Sequence, residues 1–169
     1  MIVIGIDPAT HTTGYARFNS ETRRIYETCA IKSFHKKADD RIREISRAVF
    51  DLVDCKGYPP PETLFIETTH FRQNRNTNDM YQQLCGAIVG VIGFEHKTQY
   101  VQNTTMKKVV GGSGKADKQQ VAAGVLEYFA PVTQSFQYVK QLIESERFDE
   151  TDALGVGIAG CTEQEVKNG

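Results

Sequence analysis

Two short apolar runs in this chain, "VIGI" and "LFI", each end on a carboxylate, Asp7 and Glu67. Runs of Ile, Val, Leu and Phe of that length read as buried strands. An acid at the end of such a strand is costly unless it is paired, bound to a metal or already in solvent. Either acid alone has the plain explanation that the strand has simply reached water. Two of them, on strands that can be neighbours, favour a shared purpose.

A second acidic pair stands near the end of the chain, in "ERFDETDALGVGIAG" (146–160), with Asp149 and Asp152 three residues apart. Taken alone, the spacing favours a helix start, with Asp149 as N-cap and Asp152 at the third helical position. Negative charge in a first turn is also stabilised by the helix dipole. Residues three apart nevertheless lie on one helical face. The small side chains of "DALGVGIAG" would let that face pack closely beside the strands that carry Asp7 and Glu67. Four converging carboxylates cannot all stay ionised in a dry cleft without cations. Magnesium or manganese, hard ions that prefer oxygen ligands, would resolve the conflict. Two such ions about 3.5–4 Å apart serve in-line phosphodiester cleavage, one activating water and the other stabilising the leaving oxygen.

Along the chain, "MIVIGIDP", "TGYARFN" and "RIYETCAIKSF" read as three strands with short links, an antiparallel meander. Apolar residues at Ile42, Ile45, Val49, Leu52 and Val53 mark a helix over 38–55, which "GYPPPET" ends because prolines cannot continue it. "LFIET" is a fourth strand, "NDMYQQLCGAIVGVIGFEH" a helix and "TQYVQ" a fifth strand. Helical pieces over 104–110 and 115–129 follow, joined by "GGSG". The stretch 131–147 shows no clear periodicity, and a last helix begins near Asp149. The order β-β-β-α-β-α-β-α-α-α predicts an α/β fold, a mixed sheet with helices on its faces, in one domain over residues 1–169.

Composition narrows the setting. The chain is 40% hydrophobic and 24% charged, as expected for a soluble globular protein that works without a membrane. Its longest apolar runs, 86–94 and 153–160, are too short to span a bilayer. The N-terminus enters a strand at once, with no basic leader, so a cytoplasmic location is expected, in a bacterium or in the host of a virus. Cys29, Cys55, Cys85 and Cys161 show no metal-ligand spacing and read as reduced thiols. Formal net charge is −1, weakly against a nucleic-acid partner, yet lysine and arginine cluster in "HKKADDRIR", "FRQNR" and "MKKVVGGSGKADK".

"GIDPATHTTGYA", "FIETTHFRQNRNTNDMYQQLCGAIVGV", "KKVVGGSGKADKQQV" and "DETDALGVGIAG" occur in the order seen in RuvC-type Holliday junction resolvases, and the chain resembles that family over nearly its whole length. The resemblance implies the fold of RNase H and the retroviral integrases, a mixed five-stranded sheet flanked by helices. It implies that Asp7 is the first-strand metal ligand, Glu67 the fourth-strand one, and Asp149 and Asp152 the D-x-x-D of the last helix. Some relatives carry histidine at the first of those two positions. Glu150, between them, points elsewhere on the helix.

The segment after Glu67 resembles the loop and helix that probe the junction. Relatives usually place an aromatic three residues after the glutamate, where this chain has His70 followed by Phe71, so stacking passes to Phe71 or is shared. Base–aromatic stacking contributes about 1–3 kcal/mol per base. Arg72, Asn74 and Arg75 have the chemistry for phosphates, and equally that of solvated loop residues.

"GGSGK" is not a nucleotide-binding P-loop, because Val109 stands where its first glycine is required and Ala116 replaces the Ser or Thr. No nucleotide cofactor is expected. A glycine-rich loop leading into a helix can still bind a DNA phosphate, with Lys115 beside it. Lys118 matches a family lysine near the scissile phosphate. The other family lysine falls at Met106 here, and its role passes to Lys107, with Lys108 next to it. Gly86 and Gly90, four apart on a helix, suggest close packing on the sheet, with a subunit interface as the second explanation.

These features point first to a magnesium- or manganese-dependent endonuclease that resolves four-way DNA junctions by paired nicks, as a C2 homodimer. A broader nuclease acting on forks, flaps or RNA–DNA hybrids would share the chemistry. From other classes, "GIDPATHTTGYA" also resembles the phosphate loop of a small actin-like ATP-binding domain, and a catalytically silent DNA-binding relative would keep the fold.

Overall fold

β1 (Ile2–Asp7) is the middle strand of a five-stranded sheet of order β3-β2-β1-β4-β5. The computed structural model describes residues 1–55, 57–68, 75–92 and 96–168, with the side chains of Arg75 and Asn168 left aside. β2 (Thr12–Asn19) and β3 (Arg24–Lys32) follow as the expected antiparallel meander. β4 (Thr63–Thr68) and β5 (Lys97–Gln102) run parallel to β1. Parallel neighbours require a crossover, supplied by α1 (Ala38–Val53) and α2 (Arg75–Ile92). α3 (Asn103–Gly111), α4 (Lys118–Phe129), α5 (Thr133–Glu144) and α6 (Phe148–Asn168) complete the chain.

Alternation along the strands sorts side chains between two cores. Ile4, Ile6, Tyr15, Leu64 and Ile66 face Ile45, Val49, Tyr81, Leu84 and Ile88 of α1 and α2. Val3, Phe18 and Phe65 face the opposite layer, built from α3 to α6. Asp7 has the parity of Val3, and Glu67 that of Phe65. Both acids are thereby assigned to the α6 side.

α6 is the helix that this side is built around. Ala153, Leu154, Val156, Ile158 and Ala159 are buried, and each fully buried Leu, Val or Ile contributes about 1.5–3 kcal/mol. The helix lies so close to the sheet that side chains are excluded at two strand positions. A Cβ on Gly5 would fall 2.0 Å from the Ala153 carbonyl oxygen, and one on Gly14 2.0 Å from that of Asp149. These contacts seat the start of α6 against the ends of β1 and β2.

At the other layer, buried Arg17 of β2 donates through Nη2 to the carbonyls of Leu52 (2.6 Å) and Val53 (2.9 Å). A cation thus closes the negative end of α1.

Three expectations change. The stretch 131–147 contains α5, whose buried Ser135, Val139 and Leu142 lie on one face between polar residues that dilute the pattern. α4 begins at Lys118, later than the expected 115, because Asp117 caps it: its carboxylate accepts from the Gln120 N–H (2.8 Å), and Gln120 accepts in return from the Asp117 N–H. Gly86 and Gly90 do not pack on the sheet. They lie on the exposed side of α2, where an added Cβ would meet nothing within 4 Å. Tyr81, Leu84, Cys85, Ile88 and Ile92 supply the packed face instead. All four cysteines are free thiols, and among the described residues no helix is long and apolar enough to cross a membrane.

Candidate active site

The parallel register sets Ile6 opposite Ile66, so Asp7 and Glu67, one residue further on, leave adjacent strands side by side. α6 brings Asp149 and Asp152 to the same place, since Gly14, the partner of Asp7 across β2, touches the Asp149 backbone. α4 adds Lys118, whose Nζ lies 3.9 Å from Asp149 Oδ1 and 3.9 Å from Asp152 Oδ2.

Mutual influence shows that the cluster is one electrostatic unit. Burial pushes the Asp7 carboxyl well above the usual carboxylate range, with Glu67, Asp152 and Asp149 raising it further and Lys118 pulling it down. Asp152, whose side chain is 13% exposed, is pushed up to about 6. Burial is again the main cause; Asp149 adds to it, while Lys118 and Lys107 oppose it. Glu67 is 4% exposed. Asn103 Nδ2 donates to its Oε2 at 3.0 Å, and the Tyr81 hydroxyl donates to its backbone carbonyl.

α6 begins at Phe148, which places Asp149 within the first turn and not at the cap. Its side chain, like that of Asp152, faces Lys118. Glu150 turns away, buried against Arg147, whose Nη2 lies 2.6 Å from Glu150 Oε1. The two adjacent lysines differ in their surroundings. Lys107 is near enough to act on Asp152. Lys108 is exposed and lines a groove with Thr105, Val109, Thr162 and Val166. Lys115 sits exposed in the turn between α3 and α4. Of the expected junction-probing residues, His70, Phe71, Arg72 and Asn74 lie outside the described residues, as does the side chain of Arg75.

Asn103 and Tyr81 were not singled out from sequence. Asn103 directly follows β5, whose C-terminal end shares this edge of the sheet with those of β1 and β4, and that placement was its only signal.

The four acids offer only hard oxygen donors, the set that suits a divalent cation such as magnesium or manganese. Burial, with the neighbouring acids adding to it, favours protons on Asp7 and Asp152, and a cation among the carboxylates would offset that cost. Among the described residues no three acid, histidine or cysteine side chains stand close enough together to enclose an ion. The carboxylates repel one another, and the Lys118 ammonium lies against two of them.

A family model described as crossover junction endodeoxyribonuclease RuvC matches residues 3–159. A protein of that description from Stutzerimonas stutzeri is 28% identical over 162 residues, covering 93% of this chain and 84% of its own length. One from Chlorobium phaeovibrioides is 31% identical over 168 residues, covering 94% and 79%. In fold, the chain is similar to a solved structure described as T. thermophilus RuvC in complex with Holliday junction substrate. The TM-score is 0.75 at 19% identity, with 99% of this chain and 96% of that one covered.

Proposed function

The chain belongs to the RuvC family of crossover junction endodeoxyribonucleases, and we propose that it resolves four-way DNA junctions by paired, metal-dependent phosphodiester hydrolysis. The observation that carries this reading is the meeting of Asp7, Glu67, Asp149 and Asp152 with Lys118 at one edge of the sheet. Those carboxylates would hold two magnesium ions, or manganese in their place, which supply an activated water and charge for the departing oxygen.

The chain's own residues do the positioning. Asn103 fixes one oxygen of Glu67. The Lys118 side chain is 62% exposed, and its ammonium, 3.9 Å from an oxygen of each of two aspartates, is suited to meet the scissile phosphate and carry part of the charge that develops there. Lys107 adds to Lys118 in keeping the Asp152 carboxylate more readily ionised. Asp152 needs to lose its proton before it can act as a ligand, and Lys118 and Lys107 both favour that loss.

Residues 1–169 act as one nuclease domain in the cytoplasm of a bacterium or of a virus's host. Two symmetric nicks need two active sites, so the working form is a C2 homodimer. The exposed face of α2 around Gly86 and Gly90 is suited to the subunit contact. Family membership sets aside the actin-like ATP-binding reading.

The test uses purified protein with magnesium on synthetic four-way junctions, forks, flaps, RNA–DNA hybrids and linear duplexes. The junction should be cut in preference to the others. Asp7→Asn and Glu67→Gln should abolish cleavage while leaving junction binding largely intact. Undiminished cutting by either variant would sink the site assignment, and a wild type that binds without cutting would make the chain a silent relative.

A further inference from the structure

The loop between β3 and α1, "SFHKK" over 33–37, stands at the same edge of the sheet as the acids. β1, β2 and β3 are successive antiparallel neighbours, with Asp7 opposite Gly14 and Lys32 opposite Thr12. The end of β3 is therefore two strand spacings, roughly 10 Å, across the sheet from β1. β4 flanks β1 on its other side. The ends of β3 and β4 thus lie on opposite sides of Asp7.

Phe34 is 88% exposed, more than any other large apolar side chain among the described residues. Its backbone is nevertheless fixed. The Ser33 N–H donates to the His11 carbonyl (3.0 Å), in the loop that follows Asp7. Buried Arg41 donates through Nη1 to the carbonyls of His35 (2.9 Å) and Lys36 (2.8 Å), and Ser33 Oγ donates to Glu44 Oε2. This bracing props the ring outward, where folding back would have hidden it. Single exposed apolar residues are ordinary on protein surfaces. Phe34 differs in its company, for Lys32, Lys36 and Lys37 are all exposed around it. Of the nearby acids, Asp40 is engaged with Arg43 and Glu44 with Ser33 and His35, while Asp39 stands exposed in the first turn of α1, where the helix dipole favours it.

A rigidly presented aromatic ring among lysines is the combination that binds single-stranded nucleic acid, the ring stacking on a base and the cations holding phosphates. Resting on the junction reading above, we propose that this loop is a second DNA-contacting element, with Phe34 stacking on a base exposed near the crossover and Lys36 and Lys37 gripping the flanking phosphates. A strand laid over the acids would then be held by this loop on the β3 side.

The test is binding of a four-way junction carrying 2-aminopurine at each crossover position in turn, with calcium replacing magnesium to prevent cutting. Phe34→Ala should weaken junction binding about 5- to 150-fold. It should abolish the 2-aminopurine change seen with wild type at one position, and leave linear duplex binding and thermal unfolding unchanged. Phe34→Tyr should restore both signals. A Lys36→Ala/Lys37→Ala double variant should make the slope of log K against log salt shallower by about 2. Junction binding by Phe34→Ala within twofold of wild type, with the fluorescence change intact, would overturn the proposal. A wild type with no preference for the junction over linear duplex would overturn the junction reading itself, and this proposal with it.

Discussion

Asp152 is where the proposed active site most clearly opposes stability. Its carboxyl titrates near 3.8 in an unfolded chain and at about 6 in the fold, so the folded state binds the extra proton between those values. Stability from the neutral acid is complete below about pH 4 and is lost as pH rises through 6. At about 1.4 kcal/mol for each pH unit between the two values, the loss at pH 8 is about 3 kcal/mol. Asparagine has the same shape and no charge. Asp152→Asn should therefore stabilise the ion-free protein by up to about 3 kcal/mol at pH 8 and by about half of that at pH 5. The assay is urea unfolding in EDTA at pH 5, 6, 7 and 8, repeated with magnesium. Magnesium should raise the midpoint of wild type more than that of the variant, because the ion offsets the repulsion that the substitution has already removed. A variant less stable than wild type at pH 8 in EDTA, or a difference independent of pH, would refute the reasoning. The first result would mean that the Lys118 contact outweighs the burial of the charge, and the second that the two cancel.

Gly5→Ala places a methyl 2.0 Å from the Ala153 carbonyl and should force α6 off the sheet. We expect a loss of at least about 3 kcal/mol in chemical denaturation, with cleavage falling further because Asp149 and Asp152 move with the helix. Lys107→Ala should raise the lower pH limit of cleavage, since Lys107 favours the ionised Asp152. Lys108→Ala should leave that limit unchanged, and a pH–rate profile of each variant separates the two lysines.

Much of the framework was legible in sequence because it rests on local patterns. Three strands in succession, the helix over Ile42 to Val53 and the acids at the ends of "VIGI" and "LFI" follow from periodicity and strand length. α5 was hidden because its three buried positions are separated by polar residues, too sparse a pattern for a period to emerge. Gly86 and Gly90 misled because small residues on a helix signal close approach without saying to what.

Asp149 and Asp152 show the division most plainly. Their spacing alone describes a helix start, and a helix does start there. The sequence by itself determined that four acids exist, each at the end of an element, and that α6 carries small side chains. Only the tertiary structure decided that the acids meet. Strand pairing is long-range: parallel β1 and β4 set Asp7 beside Glu67, and Gly5 and Gly14 admit α6 at a distance that carries Asp149 and Asp152 to them. Which side of a helix faces a site depends on what the helix rests against.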